Sequence, residues 1–402
     1  MWKPVKLGDV CDLVGGGTPS KKNDDYYDGD IPWATVRDMN VEELTVTEHK
    51  ITELGLKNSS SKVIPANNVI IASRVGLGKV CILRQDTAIN QDLRGVIPKR
   101  ENEIDKGFLF YWFNGIANKI IGAGRGATVQ GVTLPFLHSL SFPLLPLAEQ
   151  QRIVAKLDAA FAEIDGVIGQ TEKKIHHAKL LMQRTIDESI KGQGSDMLKV
   201  QLDEFCDIKH GFAFDGKSFS VSDDESKPIV LTPGNFAENG TTKFNDKNTK
   251  RLQIEYNKKL LFSSDDLVVV MTDLSSKMLL LGKPAFIKQS NILHNQRIGL
   301  VKNNEQIIVN DYLYFYFRTT NYLNEIKKTA SGTMVRHTAP KRILKNTITA
   351  PKSLSEQRAI STKITMSLSK SENLIDIYKT KISNLLSLKS ATLVHELQSE
   401  AA

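Results

Sequence analysis

The sequence predicts an α+β protein in which two similar mixed α/β modules are separated by a long antiparallel two-helix coiled coil, with an internal pseudo-twofold repeat. Three observations carry that expectation. Apolar residues recur at heptad spacing in two helix-length stretches, Leu147 to Lys191 and Leu354 to Leu397. The material before each stretch repeats in the same order. About seven residues, Gly192 to Leu198, join the first helix to the second module, so that module starts at the helix's far end and the second helix must run back antiparallel. The expected boundaries are residues 1–146 for the first module, 147–198 for the first helix and its linker, 199–350 for the second module and 351–402 for the second helix.

Within the first module, Val5, Leu7, Cys11 and Asp12 open the repeat and return as Val200, Leu202, Cys206 and Asp207. Gly15, Gly16 and Gly17, followed by Thr18 and Pro19, read as a tight turn; like Gly76 to Lys79 they lack the Gly-Lys-Ser/Thr ending of a phosphate loop. Val69, Ile70 and Ile71 form a short apolar run of the kind a buried strand needs, and Leu267, Val268 and Val269 repeat it. Asn90 and Gln91 return as Asn295 and Gln296, followed by Gly95 and Gly299. The aromatic run Phe108 to Phe113, repeated as Tyr312 to Phe317, is expected as a helix packed on a sheet rather than a base-stacking platform. Gly126 and Val129 return as Gly332 and Val335. Between these landmarks the copies share little, so each module is a common scaffold carrying divergent loops.

The long helices are the clearest elements. Val154, Leu157, Phe161, Ile164, Ile168, Ile175, Ala178 and Met182, with Thr171 and Thr185, fill two seams of period seven. At an offset of 207 the second copy places Ser361, Ile364, Leu368, Ser371, Ile375, Tyr378, Ile382, Leu385 and Lys389 in phase, and its seam decays past Ile382. Pro146 marks the first start, and Ser353 three residues before Glu356 the second. Gly192 and Gly194 mark a left-handed stop. At about 1.5 Å per residue each rod is roughly 65 to 70 Å long, more than a compact domain needs and therefore a spacer.

A chain of 402 residues suits two domains and a connection, and 41% hydrophobic with 24% charged residues is an ordinary globular composition. The start, Met1 to Lys6, is unlike a signal peptide, and with no apolar stretch of membrane-spanning length a cytoplasmic location without membrane association is expected. Cys11, Cys81 and Cys206 form neither a disulfide framework nor a zinc pattern and are expected as lone buried thiols. The net charge of +8 is uneven: residues 1–146 hold 17 basic and 16 acidic groups, and residues 192–353 hold 23 and 17. That balance permits a nucleic-acid surface, although the acidic run Asp24 to Asp30 cannot face phosphates.

Two copies of one scaffold at a fixed separation suit a long repetitive ligand, and duplex DNA fits, with half-sites about 34 to 36 Å apart per turn. Candidate DNA contacts are Lys21, Lys22, Arg37, Arg74, Lys79, Arg94, Arg125 and Gln130 in the first module. In the second they are Lys209, His210, Asn235, Arg297, Arg336 and His337. Arginine suits guanine and phosphate, and Asn or Gln suits adenine. No catalytic residue, metal site or cofactor fingerprint is expected. Glu225, Ser226 and Lys227 have a nuclease-like Glu-x-Lys form, but Glu172 to Lys174 and Glu325 to Lys327 share it. His176 and His177 lie mid-helix without an acidic partner at ligand spacing. The alternative is an interaction scaffold whose modules bind proteins or glycans; salt-sensitive binding to one duplex separates the two readings.

Pro143 to Val154 and the second copy, Pro351 to Ile360, each open a long helix with Leu-x-Glu-Gln. Together with Leu7 to Val10 and Gly16 to Ser20, they make the chain resemble, over essentially its full length, the specificity subunit of a type I restriction-modification enzyme. The second copy has one Gln fewer and opens with Leu202 to Phe205, without Gly-Thr-Pro. The resemblance implies that each module is a target-recognition domain reading one half of a bipartite double-stranded DNA site, with the helices setting the spacer. It implies no catalysis and no cofactor on this chain. Two modification subunits would bind S-adenosylmethionine and methylate adenine, and restriction subunits would use ATP and Mg to translocate and cut DNA.

Overall fold

The computed structural model describes residues 4–126, 130–192 and 196–398, with only the backbone of Gln398; Val129 and Gly194 lie outside the described residues. The chain divides into two compact units, Met1–Thr171 with Lys379–Ala402, and Glu172–Tyr378, so each unit holds a segment of both long helices.

In the first unit, Pro4–Lys6 pairs antiparallel with Ser141–Pro143, which leads into the first long helix. The main sheet is ordered Cys11–Gly15, Leu93–Pro98, Val69–Ala72, Val80–Leu83, Glu43–Leu44. A second sheet is ordered His49–Ile51, Tyr27–Ala34, Thr87–Ile89, Lys62–Ile64. Every residue of Val69–Ala72 is buried, as an unbroken apolar run requires. The helix Lys106–Gly115 is capped by Asp105, whose carboxylate accepts the Phe108 N–H at 2.9 Å. Phe108 to Phe113 are all buried, so this run is core.

The second unit repeats the plan. Met197–Gln201 pairs with Thr347–Pro351, and the main sheet is ordered Cys206–His210, Ile298–Asn303, Leu267–Val270, Pro284–Phe286. Its companion sheet is ordered Phe219–Val221, Lys250–Leu252, Ile229–Val230, Ile292–Leu293. Both companion sheets contain a parallel pair, with Trp33 opposite Ala88 and Ile229 opposite Ile292. Asn310–Tyr316 is the counterpart of the aromatic helix and buries Tyr312, Leu313, Phe315 and Tyr316.

Two sequence expectations are corrected. Gly299 lies opposite His210 and Val269 just as Arg94 lies opposite Gly15 and Ile71, so Gly299 is the counterpart of Arg94 and not of Gly95. The two copies need room at adjacent strand positions, hence on opposite faces: a Cβ would meet Ile64 at 2.4 Å from Gly95 and Ile208 at 2.6 Å from Gly299. Nor are Gly15 to Gly17 a tight turn, because Gly15 ends a strand and the chain continues without turning. A Cβ on Gly16 would lie 2.1 Å from the Ile89 carbonyl oxygen, and one on Gly211 2.4 Å from that of His294. Glycine lets the chain pass against the neighbouring backbone at both places.

The long segments are unbroken helices, Leu147–Ile190 and Leu354–Gln398. In the first unit they run antiparallel, since Lys156 pairs with Glu396 and Asp165 with Lys389, each at 2.8 Å. Val154, Leu157, Phe161, Ile164 and Ile168 pack there with Leu385 and Leu393. In the second unit Ile175, Ala178 and Met182 share a core with Ile364, Leu368 and Ile375. Tyr378 lies 6.0 Å from Lys174 Nζ, and Ile382 is half-buried. Lys389, where the apolar seam fails, rests 4.9 Å over the Phe161 ring. Small hydroxyls fit the seam by bonding back to their own helix: Thr171 to the Val167 carbonyl, Ser361 to Gln357 and Ser371 to Ser367. Gly192, at φ +66°, ends the first helix in the left-handed region.

The Glu-Gln opening has a physical reason. Gln150 is fully buried, its Oε1 accepting the Asp105 N–H at 2.9 Å while Nε2 donates to the Glu103 and Leu145 carbonyls at 2.7 and 2.8 Å. Gln357 repeats this with the Val309 N–H at 2.9 Å and the Ile307 and Pro351 carbonyls at 3.0 and 2.8 Å. One glutamine per unit therefore ties the start of a long helix to the start of the aromatic helix. The neighbouring position, Gln151 or Arg358, is exposed in both copies and free to differ.

Candidate nucleic-acid interface

Each unit presents one exposed turn built in the same way. Asn90 Oδ1 accepts the Asp92 N–H at 3.1 Å, and Asn295 Oδ1 accepts the Arg297 N–H at 3.0 Å. These Asx turns leave the asparagines buried and expose Gln91 and Gln296. The third residue's carbonyl then accepts from the end of the central strand. Asp92 O takes the Ser73 and Arg74 N–H groups at 2.8 and 3.1 Å, and Arg297 O takes the Met271 N–H at 2.9 Å. A further segment closes the node, with Val132 N–H donating to Ser73 O and Thr338 N–H to Met271 O, both at 2.9 Å. The backbone is shared; the side chains are not. Where the first unit has Arg74, Asp92, Arg125 and Gly131, the second has Thr272, Arg297, Ser331 and His337.

Most of the first module's candidates gather at this node. Arg74 Nε is 3.9 Å from the Asp92 carboxylate. Arg94 lies over Gly15, where burial and then the Arg74 charge lower its pKa. Arg125 bridges Gly131, and the Val75 N–H donates to the Gln130 carbonyl at 3.3 Å. Lys79 Nζ donates to Asn40 Oδ1 at 2.7 Å, and the Asn40 amide donates to the Arg37 carbonyl at 2.8 Å, which brings Arg37 and Lys79 to one place. Lys21 and Lys22 are exposed just beyond Thr18, whose hydroxyl bonds Gln91.

Around the second node stand Arg297, Arg336 and His337. His337 Nδ1 is 3.1 Å from Thr272 Oγ1, and Arg336 Nη1 donates to the Gly332 carbonyl at 2.7 Å. His210 Nδ1 lies 3.5 Å from the Gln296 carbonyl oxygen, with exposed Lys209 preceding it on the edge strand. Asn235 is a correction. It is fully buried, its Oδ1 accepting from the Thr232 N–H and hydroxyl at 2.9 Å and its Nδ2 donating to the Asn248 carbonyl at 3.0 Å. Its polar atoms shape a loop and do not face a ligand.

The candidates named from sequence left out Gln91 and Gln296, the exposed side chains at the tips of these two turns, although the Asn-Gln recurrence pointed to them. They also left out Lys247 and Lys250, which with Arg297 line a cleft of about 460 Å³. Lys247 lies in the turn before the strand Lys250–Leu252, and Lys250 opens that strand. Among the described residues no group of three His, Cys, Asp or Glu side chains is placed to hold a metal ion, and no helix is long and apolar enough to cross a membrane. Exposed guanidinium, ammonium and amide groups on rigid turns bind anions and base edges.

Comparison with known proteins bears directly on this repeat. The family described as type I restriction modification DNA specificity domain matches residues 1–176 and again residues 194–387. The chain belongs to this family. The specificity subunit of type I restriction enzyme EcoR124I/EcoR124II from Escherichia coli is 35% identical over 164 residues, and that of MjaIX from Methanocaldococcus jannaschii is 30% identical over 161. Each alignment covers 39% of this chain, and this chain spans 40% and 37% of those relatives' own lengths. The specificity-domain protein also shares its fold with the HsdS subunit from Thermoanaerobacter tengcongensis, with TM-score 0.55 and 19% identity over 99% of this chain and 96% of that one. A chain solved under the description "structural basis underlying complex assembly and conformational transition of the type I R-M system" gives TM-score 0.73 and 20% identity over 98% and 97%.

Proposed function

We propose that this specificity-domain protein is the DNA-recognition subunit of a type I restriction-modification complex, each module reading one half of a bipartite duplex site. The repeated node is the observation that carries this reading. One backbone is presented twice, with arginine, lysine and glutamine around it and different residues at equivalent positions. Such side chains bind phosphates and base edges, and unlike residues on like scaffolds suit two unlike half-sites. The length of the two unbroken helices sets the number of base pairs between the halves.

On this reading the chain contributes recognition and its partners contribute chemistry. Modification subunits would bind S-adenosylmethionine and methylate adenine, two of them because an internal repeat offers two equivalent surfaces. Restriction subunits would supply ATP- and Mg-dependent translocation and cleavage, in the cytoplasm where the duplex is. The test is binding of the full chain, with its modification partner, to labelled genomic duplex fragments over a salt series. Selective retention of fragments that weakens steeply between about 50 and 200 mM salt is expected. Retention of no duplex, or salt-independent capture of protein or glycan, refutes the reading.

A further inference from the structure

We propose that each module reads a guanine with an arginine held at the repeated node, and that the two modules deliver it from opposite sides, Arg74 from the strand end and Arg297 from the Asx turn. This inference rests on the DNA-recognition reading above. Positions 74 and 92 are bonded neighbours, Arg74 N–H to Asp92 O at 3.1 Å. Their counterparts are Thr272 and Arg297. In the first module the strand end carries the guanidinium and the turn carries a carboxylate. In the second the turn carries the guanidinium, and the strand-end residue, Thr272, is 4% exposed with its hydroxyl on His337. The guanidinium has changed sides while the backbone stayed the same.

Both arginines are exposed and each has an exposed glutamine beside it, Gln91 or Gln296. Asp92 is half-buried, accepts from the Asn90 and Gln91 amides at 3.3 Å each and lies 3.9 Å from Arg74 Nε, so the carboxylate orients that side chain. Arg297 is fixed through its own main chain, whose N–H and C=O are both bonded within the node. A planar fork on rigid backbone matches guanine O6 and N7 in the major groove. Lys79, Lys247 and Lys250 lack the fork and suit phosphate.

The test maps methylated adenines in DNA from cells carrying the full chain and its modification partner, as wild type and as Arg74→Ala, Arg74→Lys, Arg297→Ala and Arg297→Lys. Each Arg297 variant is expected to relax one guanine position in one half-site, with discrimination falling about ten- to a hundred-fold, and each Arg74 variant a guanine in the other half. Should an alanine variant fail to fold, its lysine counterpart decides the matter. The proposal is overturned by a wild-type half-site without a G·C pair, by unchanged sites in the variants, or by relaxation at a base that is not guanine. Uniform loss of modification from variants that melt like the wild type overturns it as well, because the arginines would then supply affinity alone. A wild-type chain that directs no bipartite methylation defeats the recognition reading itself, so the two failures are distinguishable.

Discussion

Replacing Gln150 with leucine isolates the bond set that joins a long helix to its module. The substitution leaves the Asp105 N–H and the Glu103 and Leu145 carbonyls without partners in a site where the glutamine is fully buried. An orphaned buried group costs about 1–3 kcal/mol, carbonyls less than an N–H, so the loss should be about 3–5 kcal/mol. That is a large share of the roughly 5–15 kcal/mol that holds a typical domain. Urea unfolding followed by tryptophan fluorescence measures it in the right unit, because Trp2, Trp33 and Trp112 all precede residue 171. Gln357→Leu removes the equivalent three bonds in the second unit, which has no tryptophan, and circular dichroism reports that loss. A fluorescence-detected loss below about 1 kcal/mol for Gln150→Leu would refute the argument that these bonds are buried and unreplaced by water.

Other expectations follow from the same geometry. Deleting one heptad from the first helix, residues Ile168 to Lys174, should shorten the permitted gap between half-sites and leave both half-site sequences intact; an unchanged gap in the methylation map removes the ruler role. Gly166 is exposed in the helix interior, and a Cβ added there would meet no neighbouring atom within 4 Å, so Gly166→Ala should add about 0.5–1 kcal/mol, seen as a higher melting midpoint. Burial pushes the Cys11, Cys81 and Cys206 thiols up to about 12 from 9.0, so the native chain should resist iodoacetamide at pH 8 and react when unfolded. Because these folded pKa values are raised, the thiols' contribution to stability is complete below pH 9 and declines between pH 9 and 12, which unfolding curves across that range will show or deny.

The helices were legible because period seven is written in side chains alone, and each named seam residue from Val154 to Lys389 is buried or half-buried. The aromatic helix and the apolar central strand were legible for the same reason: their burial needs apolar composition wherever they occur. Gln150 and Gln357 were visible only as a recurring pair, since their purpose depends on main-chain atoms more than 40 residues away in sequence. The node was hidden almost entirely. It is held by backbone bonds, which any residue can make, so Arg74 and Arg297 could be named as candidates but not recognised as occupying two sides of one arrangement. Asn235 misled because an exposed amide and a buried loop strut are the same letter, and Lys247 and Lys250 were passed over because a turn and the three-residue strand after it are too short to carry a period.

The central claim is that two modules on one chain read two halves of one DNA site independently. Exchanging residues 199–346 for the matching module of another specificity-domain protein, and mapping methylated adenines in cells that also hold the modification subunit, tests it most directly. The account predicts that one half-site is replaced while the other half and the gap stay as they were. A map in which both halves change, or neither does, contradicts it.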